Sequence, residues 1–166
     1  AGLKPKDLVG IPWRVALALQ ADGWYLRSDI IWFKPNPMPE SVTDRPTKAH
    51  EYIFLLAKKQ KYFYNAEAIK EDAMSNGPRG GNLYNDTKKG PHGGKERWKG
   101  DRKNDWAEKG RNKRTVWAIS TQPYPEAHFA TFPPELVRPC ILAGSPAGGT
   151  VLDPFGGSGT VSMVAM

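Results

Sequence analysis

The sequence has little cysteine and little histidine. Cys140 is the one cysteine, and there are three histidines. A single cysteine excludes a disulfide framework and a cysteine-based zinc site within these residues. The histidines show no spacing typical of metal ligands, so we predict no metal site. No apolar run reaches the roughly 20 residues of a membrane helix, and no signal segment opens the chain. We expect no membrane partner and a cytoplasmic protein.

The two ends of the sequence lack the usual marks of a whole protein. Ala1 stands where an initiator methionine would, and Met166 lies within an apolar stretch. We therefore expect a segment of a longer chain. Apolar residues make up 39% of the 166 residues, which is enough for a packed core in one domain of ordinary size.

The net charge of +7 is concentrated in one stretch. Residues 75–114 hold 12 basic and 5 acidic side chains, or +7, whereas residues 1–74 hold 11 and 9, or +2. Residues 115–166 hold 1 basic and 3 acidic side chains, or −2. Phosphate backbones are the commonest partner of such a basic patch. A solvated loop is the alternative interpretation.

Apolar periodicity and turn residues predict the secondary structure. Pro12 and Gly23 suit the two ends of a helix over residues 11–23. Lysines form a short turn between two apolar runs, which predicts an antiparallel hairpin of residues 50–59 and 61–65. Further strands are predicted at residues 25–34, 115–120 and 149–155, and further helices at residues 133–145 and from residue 156 onward. Residues 66–114 have many glycines and charges and are predicted to be an insert rather than core.

A glycine turn follows the last predicted strand, in the stretch VLDPFGGSGT, residues 151–160. Glycines let a backbone approach a ligand closely, and a helix N-terminus presents unpaired N–H groups. Asp153 can accept hydrogen bonds from an ammonium or hydroxyl group, and Ser158 or Thr160 can cap the helix. The turn is neither a dinucleotide fingerprint nor a P-loop, because the G-x-G-x-x-G spacing and the P-loop lysine are absent.

Read in full, DPFGGSGT resembles the S-adenosylmethionine-binding motif D-P-F-x-G-S-G-T of DNA amino-methyltransferases. HFATFPPELVRPCIL, residues 128–142, looks like the segment that precedes this motif in circularly permuted, β-type members. Residues 8–41, 44–59 and 61–65 are similar to the middle segments of that family, in its order. The resemblance covers nearly the whole chain apart from roughly residues 70–112. In permuted members the cofactor strand comes last, which accounts for the late position of the glycine turn.

The resemblance implies an α/β, Rossmann-like methyltransferase fold, circularly permuted and present in part. Its sheet is expected to be mostly parallel, with an antiparallel hairpin at one edge. Residues 1–65 would belong to the catalytic half, residues 66–114 to a target-recognition region, and residues 115–166 to the cofactor half.

The resemblance also implies a set of binding residues and no metal. S-adenosylmethionine is expected to contact the glycine turn and the segment before the preceding helix, namely Asp153, Pro154, Phe155, Gly156, Gly157, Ser158, Gly159, Thr160, Thr131, Phe132 and Pro133. Phe155 can alternatively be a core residue. His128 is a weaker candidate on the cofactor side. Double-stranded DNA is the expected partner, with phosphate contacts from Lys34, Arg79, Lys88, Lys89, Arg97, Arg102, Lys103, Arg111, Lys113 and Arg114.

The catalytic tetrapeptide of the family is absent. It consists of an acid, Asn or Ser, then two prolines and an aromatic residue. FPPE, residues 132–135, lacks the aromatic residue, and TQPY, residues 121–124, has one proline. We therefore assign no catalytic residue and expect residues 1–166 alone to be inactive.

The implied function is site-specific methylation of an exocyclic amine on a flipped DNA base, within a restriction-modification system. Cytosine N4 is favoured, because residues 10–52 look most like members with a Ser-Pro-Pro-Tyr tetrapeptide; adenine N6 is the alternative. A non-catalytic DNA-binding remnant and a nicotinamide-dependent oxidoreductase are alternatives of other classes, and an RNA or protein methyltransferase is a more distant one. A cognate restriction endonuclease is a further implied partner.

Overall fold

The computed structural model describes residues 2–72, 110–123 and 131–166. Its first compact unit comprises residues 1–69 and 114–166, and its second comprises residues 70–113. None of the helices within these described residues has the length and apolarity to cross a membrane.

The first unit begins with a helix and two long strands. Helix α1 spans Ile11–Ala21, strand β1 spans Tyr25–Phe33 and strand β2 spans His50–Ala57. Gly10 adopts a left-handed conformation at the start of α1, with φ of +68°, and the helix carries proline in its first turn. Gly23, also left-handed, turns the chain into β1. These three predicted elements are confirmed.

The sheet has three strands in the order β2-β1-β3, where β3 is the short strand Val116–Ala118. Strand β1 pairs antiparallel with β2, from Tyr25 opposite Ala57 to Phe33 opposite His50. On its other side, the last three residues of β1 pair in parallel with β3. The described sheet is therefore small and mixed, and its longer pairing is antiparallel, which corrects the expectation of a mostly parallel sheet.

Two further helices complete the first unit. Helix α2 spans Pro134–Gly144, and the short helix α3 spans Thr160–Ala165. Pro139 lies inside α2, which continues past it. Both helices confirm predicted segments, and they contact each other.

The two faces of the sheet are covered differently. Trp32 of β1, Trp117 of β3 and Leu136 of α2 form a buried cluster on one face. Successive strand residues point to opposite faces, so Tyr52 and Phe54 of β2 lie on the other. There the Trp13 ring of α1 meets Tyr52 and Phe54 edge-on, with ring centroids 5.5 and 5.0 Å apart. The sheet is thus a layer between α1 and α2.

The predicted strand at residues 61–65, and with it the predicted hairpin, is wrong. Tyr62, Phe63 and Tyr64 are exposed and pair with no strand among the described residues. The Tyr62 hydroxyl instead lies 3.0 Å from Arg27 Nε. The open edge of β2 carries no described strand, so the aromatic residues of this run have strand propensity but form no ladder.

The predicted buried strand at residues 149–155 is also wrong. These residues form no ladder with any described strand, and Leu152 is 85% exposed. An apolar run forms a strand only when another strand satisfies its backbone groups. The glycine turn therefore follows an irregular, mostly exposed segment.

The second unit is described at its two ends only. The backbones of Glu71 and Arg111 exchange two hydrogen bonds of 2.9 and 2.8 Å, and Arg111 Nε lies 3.2 Å from a Glu71 carboxylate oxygen. This antiparallel bridge brings the two ends of the segment together.

Candidate functional site

The glycine turn is organised by Asp153. Its half-buried carboxylate accepts a hydrogen bond of 3.0 Å from the backbone N–H of Phe155. The next turn closes where the Gly159 N–H donates to the Gly156 carbonyl at 2.7 Å. The first of these bonds uses one carboxylate oxygen of Asp153, and the second joins backbone groups only.

Backbone conformation explains two of the glycines. Gly157 and Gly159 have φ values of +47° and +76°, which side chains of L-residues rarely adopt. A Cβ atom added to Gly159 would meet nothing within 4 Å, and one added to Gly157 would meet only the Phe155 carbonyl oxygen, at 3.6 Å. Glycine is therefore required here by the turn and not by crowding, and the space above the turn is open.

The predicted side-chain cap of α3 is wrong. Gly159 is the N-cap residue, and no side chain caps the helix. The Ser158 and Thr160 hydroxyls instead lie 3.1 Å from each other. Thr160 is 7% exposed and is the one buried polar residue among the described residues. The cap is absent because the left-handed Gly159 turns the chain into the helix by itself.

A small pocket brings the two predicted cofactor segments together. It measures about 160 Å³, and we call it the turn pocket. Its walls come from the segment before α2 and from α3, namely Gln122, Pro123, Thr131, Phe132, Pro133, Pro134, Thr160 and Met163. Four of the predicted cofactor residues therefore share one pocket although the two segments are separated by helix α2.

A larger, mostly apolar pocket lies between α2 and the sheet. It measures about 550 Å³ and includes Phe132, Val151 and Val161 in its wall. Phe132 lines both pockets. Residues 153–159 line neither, and Phe155 is 91% exposed. Phe155 is therefore not a core residue of the described chain.

Lys34 is the predicted DNA contact that directly follows β1. Its Nζ is ion-paired with Glu51 of β2 and lies 4.4 Å from the Trp32 ring centroid. The loop after it is fastened by Arg45, whose guanidinium donates to Glu40 at 2.8 Å. That bond, with a second from the Lys48 backbone N–H, holds the pKa of Glu40 below its usual value. The charge of Lys34 itself is balanced by Glu51.

The other predicted DNA contacts fall at the basic insert. Arg111 takes part in the bridge to Glu71, and the Arg114 carbonyl accepts a 2.7 Å bond from the Trp117 indole. Lys113 is half-buried. The remaining predicted contacts lie outside the described residues, as does His128: they are Arg79, Lys88, Lys89, Arg97, Arg102 and Lys103.

Asn36 and Gln122 were missed in the sequence. Asn36 bonds to the backbone of Thr121, and Gln122 lines the turn pocket and bonds to Glu135. Asn36 lies between two prolines in a segment whose only clear signal is loop, and its partner is 85 residues away. No local pattern predicts such a contact.

The chain is similar to known DNA-modifying proteins. A family model described as DNA methylase matches residues 4–166. The Type II methyltransferase M.Cfr9I of Citrobacter freundii is 53% identical over 163 residues, covering 98% of this chain and 44% of that protein. The Type II methyltransferase M.SmaI of Serratia marcescens is 54% identical, covering 98% and 46%. The chain spans a little under half the length of these relatives.

A solved structure shows the same fold. The crystal structure of the M1.HpyAVI–SAM complex superposes with a TM-score of 0.59 over 95% of this chain and 58% of that one. The sequence identity is 20%, so the likeness concerns the fold alone.

Proposed function

Because this chain belongs to the DNA methylase family, we propose that the whole protein transfers a methyl group from S-adenosylmethionine to an exocyclic amine of a DNA base. The relatives named above are Type II methyltransferases, which supports this activity. The chain itself would supply the cofactor site and part of the DNA surface.

The observation that carries the proposal is the junction of two segments at the turn pocket. Thr160 follows the glycine turn directly, and it shares the pocket with Thr131, Phe132 and Pro133. At about 160 Å³ the pocket is smaller than the roughly 300–1,000 Å³ of a typical small-molecule site. It would therefore hold one end of the cofactor, and the remainder would lie along the open glycine turn.

The surroundings of the turn leave room for the remainder of the cofactor. The space above Gly159 is open, and Leu152 and Phe155 are apolar side chains exposed to 85% and 91%. We propose that the cofactor covers these two apolar side chains. Asp153, Pro154, Gly156, Gly157 and Ser158 would then line the cofactor through backbone and short side chains.

When bound, the cofactor supplies a positively charged sulfonium whose methyl group is electrophilic. The residues of this chain would hold that group in place and orient it toward the amine, so their contribution is positioning. We place no catalytic residue in residues 1–166, because none of them forms the family's tetrapeptide.

Double-stranded DNA would lie against the basic residues of the insert. The target base must leave the stack to reach the cofactor, and the net charge of residues 75–114 would hold the phosphates on either side. Arg111, Lys113 and Arg114 are the described candidates, together with Lys34 directly after β1. Lys34 would have to exchange Glu51 for a phosphate.

The proposal extends to the target base and to the partner of the protein. Cytosine N4 is favoured by the resemblance to members with a Ser-Pro-Pro-Tyr tetrapeptide, and adenine N6 is the alternative. We also propose that the family's segments occur in circularly permuted order. The protein would act in the cytoplasm beside a cognate restriction endonuclease. A non-catalytic remnant is the competing function. A nicotinamide-dependent oxidoreductase is no longer a competitor, because the family match covers residues 4–166.

The activity test uses the whole protein, DNA of mixed sequence and S-adenosylmethionine with an isotope-labelled methyl group. The DNA is digested to nucleosides, and the labelled nucleoside is identified by mass spectrometry. We expect N4-methylcytosine. Labelled N6-methyladenine would move the target base, and unlabelled DNA from a protein that binds the cofactor would favour the remnant.

The cofactor site is tested separately with Asp153→Asn and a matched surface variant, Asp44→Asn. Asp44 is exposed, pairs with Lys6, and lines neither the turn pocket nor the larger pocket. We expect Asp153→Asn to weaken S-adenosylmethionine binding in calorimetry and Asp44→Asn to leave it unchanged. Equal affinities for both variants would contradict the assignment of the glycine turn as the cofactor site.

A further inference from the structure

The loop after β1 is joined to the segment after β3 by one side chain. The Asn36 carboxamide oxygen accepts a 2.9 Å bond from the Thr121 N–H, and its NH₂ group donates to the Thr121 carbonyl at 3.3 Å. One side chain thus satisfies both backbone groups of Thr121. An amide is the uncharged side chain that offers a donor and an acceptor side by side.

The contact with Thr121 continues the attachment of that segment to β1. The Trp32 indole donates to the Ile119 carbonyl at 2.8 Å, and the Ile119 N–H donates to the Phe33 carbonyl at 3.1 Å. Residues 119–121 are therefore fixed along the carboxyl end of β1. The bonds of Asn36 are the last ones in this series before the chain reaches the turn pocket.

The residue after Thr121 lies in the wall of that pocket. Gln122 lines it together with the predicted cofactor residues Thr131, Phe132, Pro133 and Thr160. Its Nε2 donates to a Glu135 carboxylate oxygen at 3.1 Å, in the first turn of α2. Gln122 is thus held from one side by Asn36, through Thr121, and from the other by Glu135.

We propose that Gln122 is a further residue of the cofactor pocket and that Asn36 is the positioning residue that sets it there. This inference rests on the proposed function. Asn36 fixes the backbone of Thr121, Glu135 fixes the Gln122 amide, and the pocket wall is thereby held in shape before the cofactor enters. A site fixed in advance loses less conformational freedom on binding.

The central experiment measures the dissociation constant of S-adenosylmethionine for the whole protein and for three variants by calorimetry. Asn36→Ala removes both bonds to Thr121, and Gln122→Ala removes the amide from the pocket. Each should raise the dissociation constant about three- to tenfold, which corresponds to about one net hydrogen bond. The double variant should weaken binding less than the product of the two single effects, because both act through one element.

Asn65→Ala is the matched control. The Asn65 side chain also accepts a backbone bond, from Ala68 at 3.1 Å, and it is exposed like Asn36. It lines neither the turn pocket nor the larger pocket. We expect its dissociation constant to equal that of the unaltered protein, so that loss of an exposed side-chain-to-backbone bond alone does not account for the effect.

A conservative pair separates positioning from general stability. Glu135→Gln keeps an oxygen that can accept from Gln122, whereas Glu135→Ala removes it; the first should retain tight binding and the second should not. The melting temperature of each variant is measured as well. An Asn36→Ala protein with a lowered melting temperature and unchanged cofactor affinity would overturn the proposal.

The outcomes distinguish this inference from the function on which it rests. If the unaltered protein binds no S-adenosylmethionine, the proposed function fails. If it binds and both Asn36→Ala and Gln122→Ala bind equally well, the positioning role fails alone. Should Asn36→Ala not fold, Gln122→Ala decides the matter, because Gln122 is exposed and its truncation leaves the backbone bonds in place.

Discussion

The sheet face under α2 buries its large apolar side chains, whereas the glycine turn exposes its own. On the sheet, Trp32 is 3% exposed, and it packs with Trp117 and Leu136. At the turn, Leu152 and Phe155 are almost fully exposed. The first group is covered by residues of this chain, and the second is covered by none of the described residues.

The difference separates residues that stabilise the fold from residues that contribute little to it. Burial stabilises an apolar side chain by about 25 cal/mol per Å² removed from water, so Trp32 contributes to folding and Phe155 contributes little. If the cofactor covers Phe155, its contribution appears on binding. Substitutions on the sheet face should therefore lower stability, whereas substitutions at the turn should lower cofactor affinity.

Trp32→Ala should have the largest effect on stability. It removes a buried aromatic side chain and its bond to the Ile119 carbonyl, and such truncations cost about 3–5 kcal/mol. Urea unfolding followed by circular dichroism measures the loss. Trp32→Phe retains most of the ring and loses the indole N–H, so about 1–2 kcal/mol is expected. A Trp32→Ala loss below that of Trp32→Phe would contradict the assignment of Trp32 to the core.

Gly159→Ala should cost about 1–2 kcal/mol, because its φ of +76° brings a Cβ close to the following carbonyl oxygen. Gly144→Ala is the control. Gly144 is the last residue of α2, has no positive φ, and offers open space for a Cβ. Alanine there should be neutral or stabilising by up to about 1 kcal/mol. Equal effects at both positions in thermal unfolding would show that conformation is not what selects glycine in the turn.

Phe155→Ala tests the exposed side of the comparison. Because Phe155 is 91% exposed, its truncation should change stability by less than about 0.5 kcal/mol. Cofactor affinity should fall about tenfold if the ring is covered on binding. Leu8→Ala, at an 87% exposed apolar residue before α1, should change neither quantity. A Phe155→Ala protein with unchanged affinity would place the cofactor away from this side chain.

Sequence patterns predicted the helices and the sheet strands correctly and failed for two exposed segments. The three helices and strands β1, β2 and β3 are set by local pattern, because proline, glycine and apolar periodicity act over a few residues. The strands predicted at residues 61–65 and 149–155 fail, because a strand also needs a neighbour with open backbone groups, and no local signal specifies one. For the same reason the sheet proved mixed and not mostly parallel.

The candidate site was predictable in its motif and not in its contacts. DPFGGSGT predicts the turn, and HFATFPPELVRPCIL predicts the segment that shares the turn pocket with Thr160. The bonds of Asn36 to Thr121 and of Gln122 to Glu135 join residues 85 and 13 positions apart. They follow from how the loops at the carboxyl end of β1 lie together in the folded chain, which single-sequence patterns do not encode.

Glu40→Gln should have the smallest effect, and only above acidic pH. The bond from Arg45 lowers the pKa of Glu40 in the folded state, so the carboxylate stabilises the fold above its unfolded pKa of about 4.3. That contribution is lost as the pH falls through the lower folded pKa, since both states are then protonated. The pair is exposed, which keeps its contribution small. Urea midpoints of the two proteins should differ slightly near neutral pH and converge on acidification. A difference that persists below the folded pKa would show that Glu40 acts through packing rather than through its charge.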